Sequence, residues 1–78
     1  MVNSPPKYSS DIGNTLALEF PIGITYYDSE VHREFSLRSD KSNPSWEDVS
    51  VVAKMFGGGG HTHAAGFKVT RDHYLARI

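Results

Sequence analysis

Between Lys54 and Phe67 the chain reads KMFGGGGHTHAAGF. Gly57 to Gly60 run without interruption, His61 follows at once, and Ala64, Ala65 and Gly66 come two residues later. Glycine loses more conformational entropy on folding than any other residue, so ordering such a run is costly. The run is therefore either a flexible connector or a loop whose backbone must come close to something. Its flanks bear on the choice. A helical pattern ends on one side and a strand pattern begins on the other, and connectors seldom interrupt a small domain so briefly.

The helical pattern is SWEDVSVVAKMF. Ser45 is the expected N-cap, with Asp48 three residues on in near capping-box spacing. Glu47 and Asp48 suit the first turn and Lys54 the last, as the helix dipole favours. Val49, Val52, Ala53 and Phe56 form one apolar stripe at i, i+3, i+4 and i+7. Gly57 stands where a left-handed residue closes a helix. Beyond the glycines, Ala65 to Thr70 reads as a strand with Phe67 and Val69 on one face and Lys68 on the other. The last residues, RDHYLARI, read as a helix start capped near Thr70, with Tyr74, Leu75 and Ile78 apolar.

Upstream, PIGITYYDSEVHREFSLRS reads as a β-hairpin. Ile22, Ile24 and Tyr26 alternate with Gly23, Thr25 and Tyr27, and Phe35 and Leu37 alternate with Ser36 and Arg38. A loop at Asp28, Ser29 and Glu30 pairs Tyr27 with His32, Ile24 with Phe35 and Ile22 with Leu37. That register gathers the apolar side chains on one face and leaves Ser36 and Arg38 on the other. Before the hairpin, Ser10 could cap a short helix with Ile12, Leu16 and Phe20 on one side. Gly13 weakens it and Pro21 stops it. Residues 1–10, with two prolines and three serines, read as a mobile tail or linker remnant. Residues 11–78 form the expected domain. The fold class is α+β: a small mixed sheet with a β-hairpin, one capped helix, and a glycine-rich loop leading into a further strand.

A chain of 78 residues supports one small domain, which buries only about 60% of the surface its unfolded form exposes. It has no cysteine, so neither disulfides nor thiolate metal sites reinforce it. No stretch is long and apolar enough for a membrane span, and the opening residues lack a secretory h-region. The expectation is a cytoplasmic protein that does not engage a membrane. The net charge of −1 and pI near 6.4 lack the basic excess of proteins that grip long nucleic acids. Anion recognition would have to be local.

The glycine run could supply it. Successive glycines allow backbone N–H groups to converge into an anion-binding nest that no Cβ obstructs. His61 adds a ring N–H and, when protonated, a positive charge. His61 and His63 could share a strand face and ligate zinc, but a structural zinc site takes four protein ligands, and the set is not completed nearby. Tyr26 and Trp46 are expected against the core, Tyr27 on the other face, and His32 in solvent.

FGGGGHTHAAGF resembles the G-G-G-H-x-x-A-A-G signature of the DHH-associated domain, with Gly58, Gly59, Gly60, His61, Ala64, Ala65 and Gly66 at its fixed positions. The upstream YYD strand, FSLRS and DVSVVAKMFGGGG are also similar, so the resemblance spans residues 20–70. That domain is the C-terminal, substrate-binding part of DHH phosphoesterases, which include RecJ-like exonucleases, nano-RNases and cyclic-dinucleotide phosphodiesterases. The resemblance implies that Gly58, Gly59, Gly60 and His61 hold a phosphate or terminal nucleotide of a short oligonucleotide or small phosphodiester. Arg38 is a candidate second contact, since a guanidinium binds phosphate oxygens bidentately. In the family, hydrolysis belongs to a separate N-terminal DHH domain with two divalent metal ions, commonly manganese. No DHH sequence occurs here, and RDHY offers only Asp72 and His73. The chain thus resembles a binding domain without cofactor, inactive alone, whose N-terminal catalytic partner is absent. Apolar surface facing that partner could drive self-association. Two alternatives are an RNA-associated glycine-rich domain like that of alanyl-tRNA synthetase, and a fold fragment without activity.

Overall fold

The computed structural model describes residues 1–77, apart from the side chain of Tyr74. Its elements are β1 (Val2–Asn3), α1 (Ser9–Glu19), β2 (Gly23–Asp28), β3 (His32–Arg38), α2 (Val49–Met55), β4 (Gly59–His61) and β5 (Ala64–Thr70). Short 3-10 turns occupy Pro6–Tyr8 and Tyr74–Arg77. The strands form one five-stranded sheet in the order β1-β2-β3-β5-β4. β1 runs parallel to β2, and every other pairing is antiparallel. The fold is a mixed-sheet α+β domain.

The helices cover opposite faces of the sheet. On one face Phe35, Leu37, Phe67 and Val69 meet Val49 and Ala53 of α2 in the buried core. Val52 and Phe56 pack against its edge, so the expected stripe does face inward. The Phe67 ring lies between those of Phe35 and Phe56, each 4.7 Å away and nearly parallel, an arrangement that adds to the area it buries. Arg33 closes one end of this core. Its Nε and Nη2 donate to Asp28 at 2.7 and 3.0 Å, its Nη1 donates to the Leu75 carbonyl at 3.1 Å, and the guanidinium lies 4.2 Å from the Tyr26 ring centre.

On the other face α1 sits close to β2 and β3 because the contact residues are small. A Cβ on Gly23 would fall 2.3 Å from the Gly13 carbonyl oxygen, and one on Gly13 would fall 2.8 Å from Cγ of Arg38. Gly13 is therefore the residue that lets the helix dock, rather than a weak point in it. The buried helix residues are Gly13 and Ala17, while Phe20 of the expected apolar side is exposed.

Four local expectations need correction. The first ten residues are built into the domain: Val2 and Asn3 pair with Thr25 and Tyr26, Ser4 is 1% exposed, and its N–H donates to the Tyr26 carbonyl. Tyr8, not Ser10, precedes α1, without a side-chain cap. The hairpin register is shifted by two residues, pairing Ile24 with Leu37, Tyr26 with Phe35 and Asp28 with Arg33. Such a shift keeps every side chain on its face, so the apolar pattern cannot distinguish the two registers. The Asp28–Arg33 fork and the Ser29 bonds to His32, from both backbone N–H and hydroxyl, favour the observed register. Finally, α2 begins at Val49 with Asp48 as its cap, accepting from the Ser50 N–H at 2.9 Å. Ser45 instead belongs to a turn in which its N–H donates to Asn43 Oδ1. In the last segment the expected helix is the short 3-10 turn, and Ile78 lies outside the described residues.

Four carboxyls are held below their ordinary range, each chiefly by a side-chain hydrogen bond: Asp28 from Arg33, Asp40 from Ser42, Asp48 from Ser50 and Asp72 from Thr70. A lowered native value means that the unfolded chain binds more protons, so the stabilisation is complete above the ordinary carboxylate range. It is lost as pH falls through the native values. The melting temperature should stay level from neutrality to about pH 5 and then fall. A melting temperature that rose on acidification below that point would contradict these assignments.

Candidate functional site

The glycine run divides between several jobs. Gly57 closes α2 with φ of 83°, a left-handed conformation that L side chains rarely adopt. Gly58 is pressed on β5, where a Cβ would stand 2.1 Å from the Gly66 carbonyl oxygen. Gly59 and Gly60 lie in β4 and pair with Gly66 and Ala65. An edge strand thus replaces the expected nest, because pairing with β5 engages this backbone. As an edge, β4 still presents unpaired backbone groups outward.

β4 and β5 are joined by a two-residue turn, Thr62–His63. The turn is clamped from several directions. Ser39 N–H donates to the His63 carbonyl at 3.1 Å, Val49 N–H donates to the Thr62 carbonyl at 3.0 Å, and the Ser39 hydroxyl lies 2.9 Å from His63 Nδ1. The Trp46 ring covers His63 at 4.8 Å between centroids. His63 is therefore a half-buried turn residue, whereas His61 is exposed at the end of β4. Because His63 lies in the turn, the two histidines do not share a strand face. Among the described residues no group of three or more His, Cys, Asp or Glu could hold a metal ion.

Strand register then assembles a surface. Residues opposite one another in a sheet project from the same face. Arg38 is opposite Ala64, and Ala64 is opposite His61. Arg38 and His61 thus flank a single alanine, about 10 Å apart across the sheet at two interstrand spacings. Two residues along the strands, Thr25, Ser36, Gly66 and Gly59 form a second row. A third row holds Tyr27, Glu34 and Lys68. This is the face that α1 covers only in part. Its floor is Ala64 between Arg38 and His61, with Gly66 and Gly59 in the neighbouring row.

Arg38 is held in an unusual way. Its stem crosses Gly13, its Nη2 donates to Ser10 Oγ at 2.9 Å, and its Nε is buried without a partner among the described residues. The guanidinium is thereby turned toward the first turn of α1. The sequence-predicted residues Arg38, Gly59 and His61 thus share one face. Gly58 lies beneath it as packing, and a Cβ on Gly60 would run into the Ala64 and Ala65 backbone. Sequence reasoning missed Ser10, Thr25 and Ser39. Thr25 carried a signal, since it alternates with the apolar residues of β2. Ser39 carried none, because its partners lie 23 and 24 positions away.

No family model matches the sequence. The chain is 41% identical over 63 residues to an uncharacterized protein of Acanthamoeba polyphaga mimivirus. The match covers 78% of this chain and 15% of the viral protein, so the chain spans a small part of the length of its relative. No helix among the described residues is long and apolar enough to cross a membrane.

Proposed function

We propose that this chain is the substrate-holding domain of a DHH-type phosphoesterase, taking the phosphate of a short oligonucleotide or small phosphodiester on the face between Arg38 and His61. The observation that carries the reading is the row Arg38–Ala64–His61. Two side chains able to donate to phosphate oxygens stand on one face, with only small residues between them. Gly59 adds support. A Cβ there would meet nothing within 4 Å among the described residues, so packing does not demand glycine at a position where alanine would order more cheaply. Room for a ligand above the floor is a reason for it.

Bond cleavage is assigned to the two metal ions, manganese by the family pattern, of a separate N-terminal catalytic domain. What this chain contributes is position: Arg38 offers a fork of donors, and His61 donates a ring N–H beside it. The viral relative is much longer than the matched stretch, the setting in which a dependent binding domain works. Val51 and Met55 on the outer side of α2 are 57% and 74% exposed. They supply apolar surface for the catalytic domain or, in its absence, for self-association. A cytoplasmic location belongs to the same reading.

The test is a titration of the isotope-labelled chain with a dinucleotide and with inorganic phosphate, followed by NMR. The His61 ring and the Gly59 and Gly60 amides should move at millimolar ligand. If those signals stay fixed while the chain remains folded, autonomous phosphate binding is refuted.

A further inference from the structure

His61 reaches the Arg38 row from an edge strand that is exposed along its whole length. The residues before it are glycines, which bring no side chains to anchor it. The turn that follows is not self-sufficient either. Two-residue hairpin turns that suit the twist of their strands need positive φ at one or both central residues, and other types splay the strands apart. Neither Thr62 nor His63 has positive φ. The position of His61 therefore depends on bonds from outside the hairpin. They converge on Ser39, the residue next to Arg38 in the chain. Ser39 is 6% exposed, and both its backbone N–H and its hydroxyl address the turn. The N–H donates to the His63 carbonyl, and the hydroxyl lies 3.3 Å from the Thr62 carbonyl and 2.9 Å from His63 Nδ1. Trp46 packs on the His63 ring, and the bond from Val49 N–H to the Thr62 carbonyl ties the turn to α2 as well. A hydroxyl both donates and accepts. It donates to a bare Nδ1, or accepts from Nδ1–H and turns its own hydrogen to the Thr62 carbonyl. The 2.9 Å bond is thus made whichever ring nitrogen carries the proton.

We propose that Ser39 and His63 are positioning residues for phosphate binding: a lock that sets His61 at its distance from Arg38. The inference rests on the phosphate-holding reading of that face. A ligand gripped from two sides needs its donors held to about 0.5 Å by a supporting layer of packed and hydrogen-bonded residues. Ser39 is placed to do this for both donors at once. It is joined covalently to Arg38, and it is hydrogen-bonded to the turn that begins directly after His61. His63 completes the layer, with its ring fixed by Trp46 on one side and by Ser39 on the other.

The test is a double-mutant cycle on the full chain, read as dinucleotide affinity by NMR. His63→Phe keeps a ring against Trp46 and removes Nδ1. It should weaken binding roughly three- to tenfold, within the coupling that neighbouring residues show, while the melting temperature falls only slightly. His63→Asn brings to the place of Nδ1 an amide that can donate or accept, and it should recover most of the affinity. In a His61→Ala background the same His63→Phe change should cost nothing further, because the lock has no donor left to place. Should His63→Phe fail to fold, Ser39→Ala, which keeps the backbone bonds to the turn, takes its place in the cycle. Parental affinity in His63→Phe, an Asn variant as weak as the Phe variant, or a loss that persists undiminished without His61 would each overturn the lock. Hydrogen exchange supplies a readout that needs no ligand. The Ser39 and Val49 amides, which donate to the turn, should exchange faster in His63→Phe while those of the β3–β5 ladder stay unchanged. Equal rates at Ser39 and Val49 would refute the lock. A parent chain that binds neither the dinucleotide nor inorganic phosphate would instead refute the phosphate-holding reading, and the lock's part in it, whatever the exchange rates show.

Discussion

Gly58→Ala should cost this domain roughly 3 kcal/mol of stability, whereas Gly59→Ala, one residue later, should cost nothing. The new methyl at position 58 would be driven to 2.1 Å from the Gly66 carbonyl oxygen and 2.6 Å from Cβ of Phe67. Neither obstacle is the far end of a flexible side chain. The carbonyl is part of β5 at the centre of the β3–β5–β4 pairing, and Phe67 is stacked between Phe35 and Phe56. Relief would require lifting β4 from β5 or opening the aromatic stack. A domain of this size commands only about 4–12 kcal/mol in total, so the substitution should leave a visible unfolded fraction. At Gly59 the methyl meets nothing within 4 Å, and the loss of glycine's freedom in the unfolded chain should give about 0 to 1 kcal/mol in the stabilising direction. Denaturant midpoints compare the two directly. The same Gly59→Ala protein should bind a dinucleotide several-fold more weakly, because its methyl stands on the floor beside the Arg38–His61 row. Parental stability with parental binding would remove the argument that this glycine makes room for a ligand.

The contrast between these glycines also shows where sequence reasoning ends. Four identical residues carry four environments, and only Gly57, as the end of a helix, could be placed from its neighbours. The apolar stripe of α2 and the two faces of the hairpin were readable because their periods are short and local. The hairpin register was not, since a shift of two residues preserves the faces and the decision falls to the Asp28–Arg33 fork. The start of α2 was misplaced because Ser45 and Asp48 are both good caps, and the tertiary bond from Val49 N–H to the Thr62 carbonyl helps fix where the helix begins. β1 was invisible. Two residues that pair with a strand more than twenty positions away leave no pattern of their own. The candidate site was half legible for the same reason. His61 and Arg38 could be singled out as chemistry, but their common face depends on β5 lying between β3 and β4.

His61→Ala should separate binding from folding. The side chain is exposed at the end of an edge strand, so its loss should change stability by no more than about 0.5 kcal/mol. A hydrogen bond to a charged group contributes about 1.5–3 kcal/mol, so dinucleotide affinity should fall roughly ten- to a hundredfold. Arg38 requires a gentler change, because its stem packs over Gly13 and its head bonds Ser10. Arg38→Lys keeps the charge and most of the stem but removes the planar fork. If Arg38 grips phosphate through two donors, the lysine variant should bind clearly more weakly despite its equal charge. If it acts only as a positive charge, binding should be nearly unchanged. In an enzyme with the catalytic domain restored, His61→Ala should lower kcat/KM at an unchanged melting temperature. An unaltered kcat/KM would mean that the substrate phosphate does not rest on this row, whatever else the face binds.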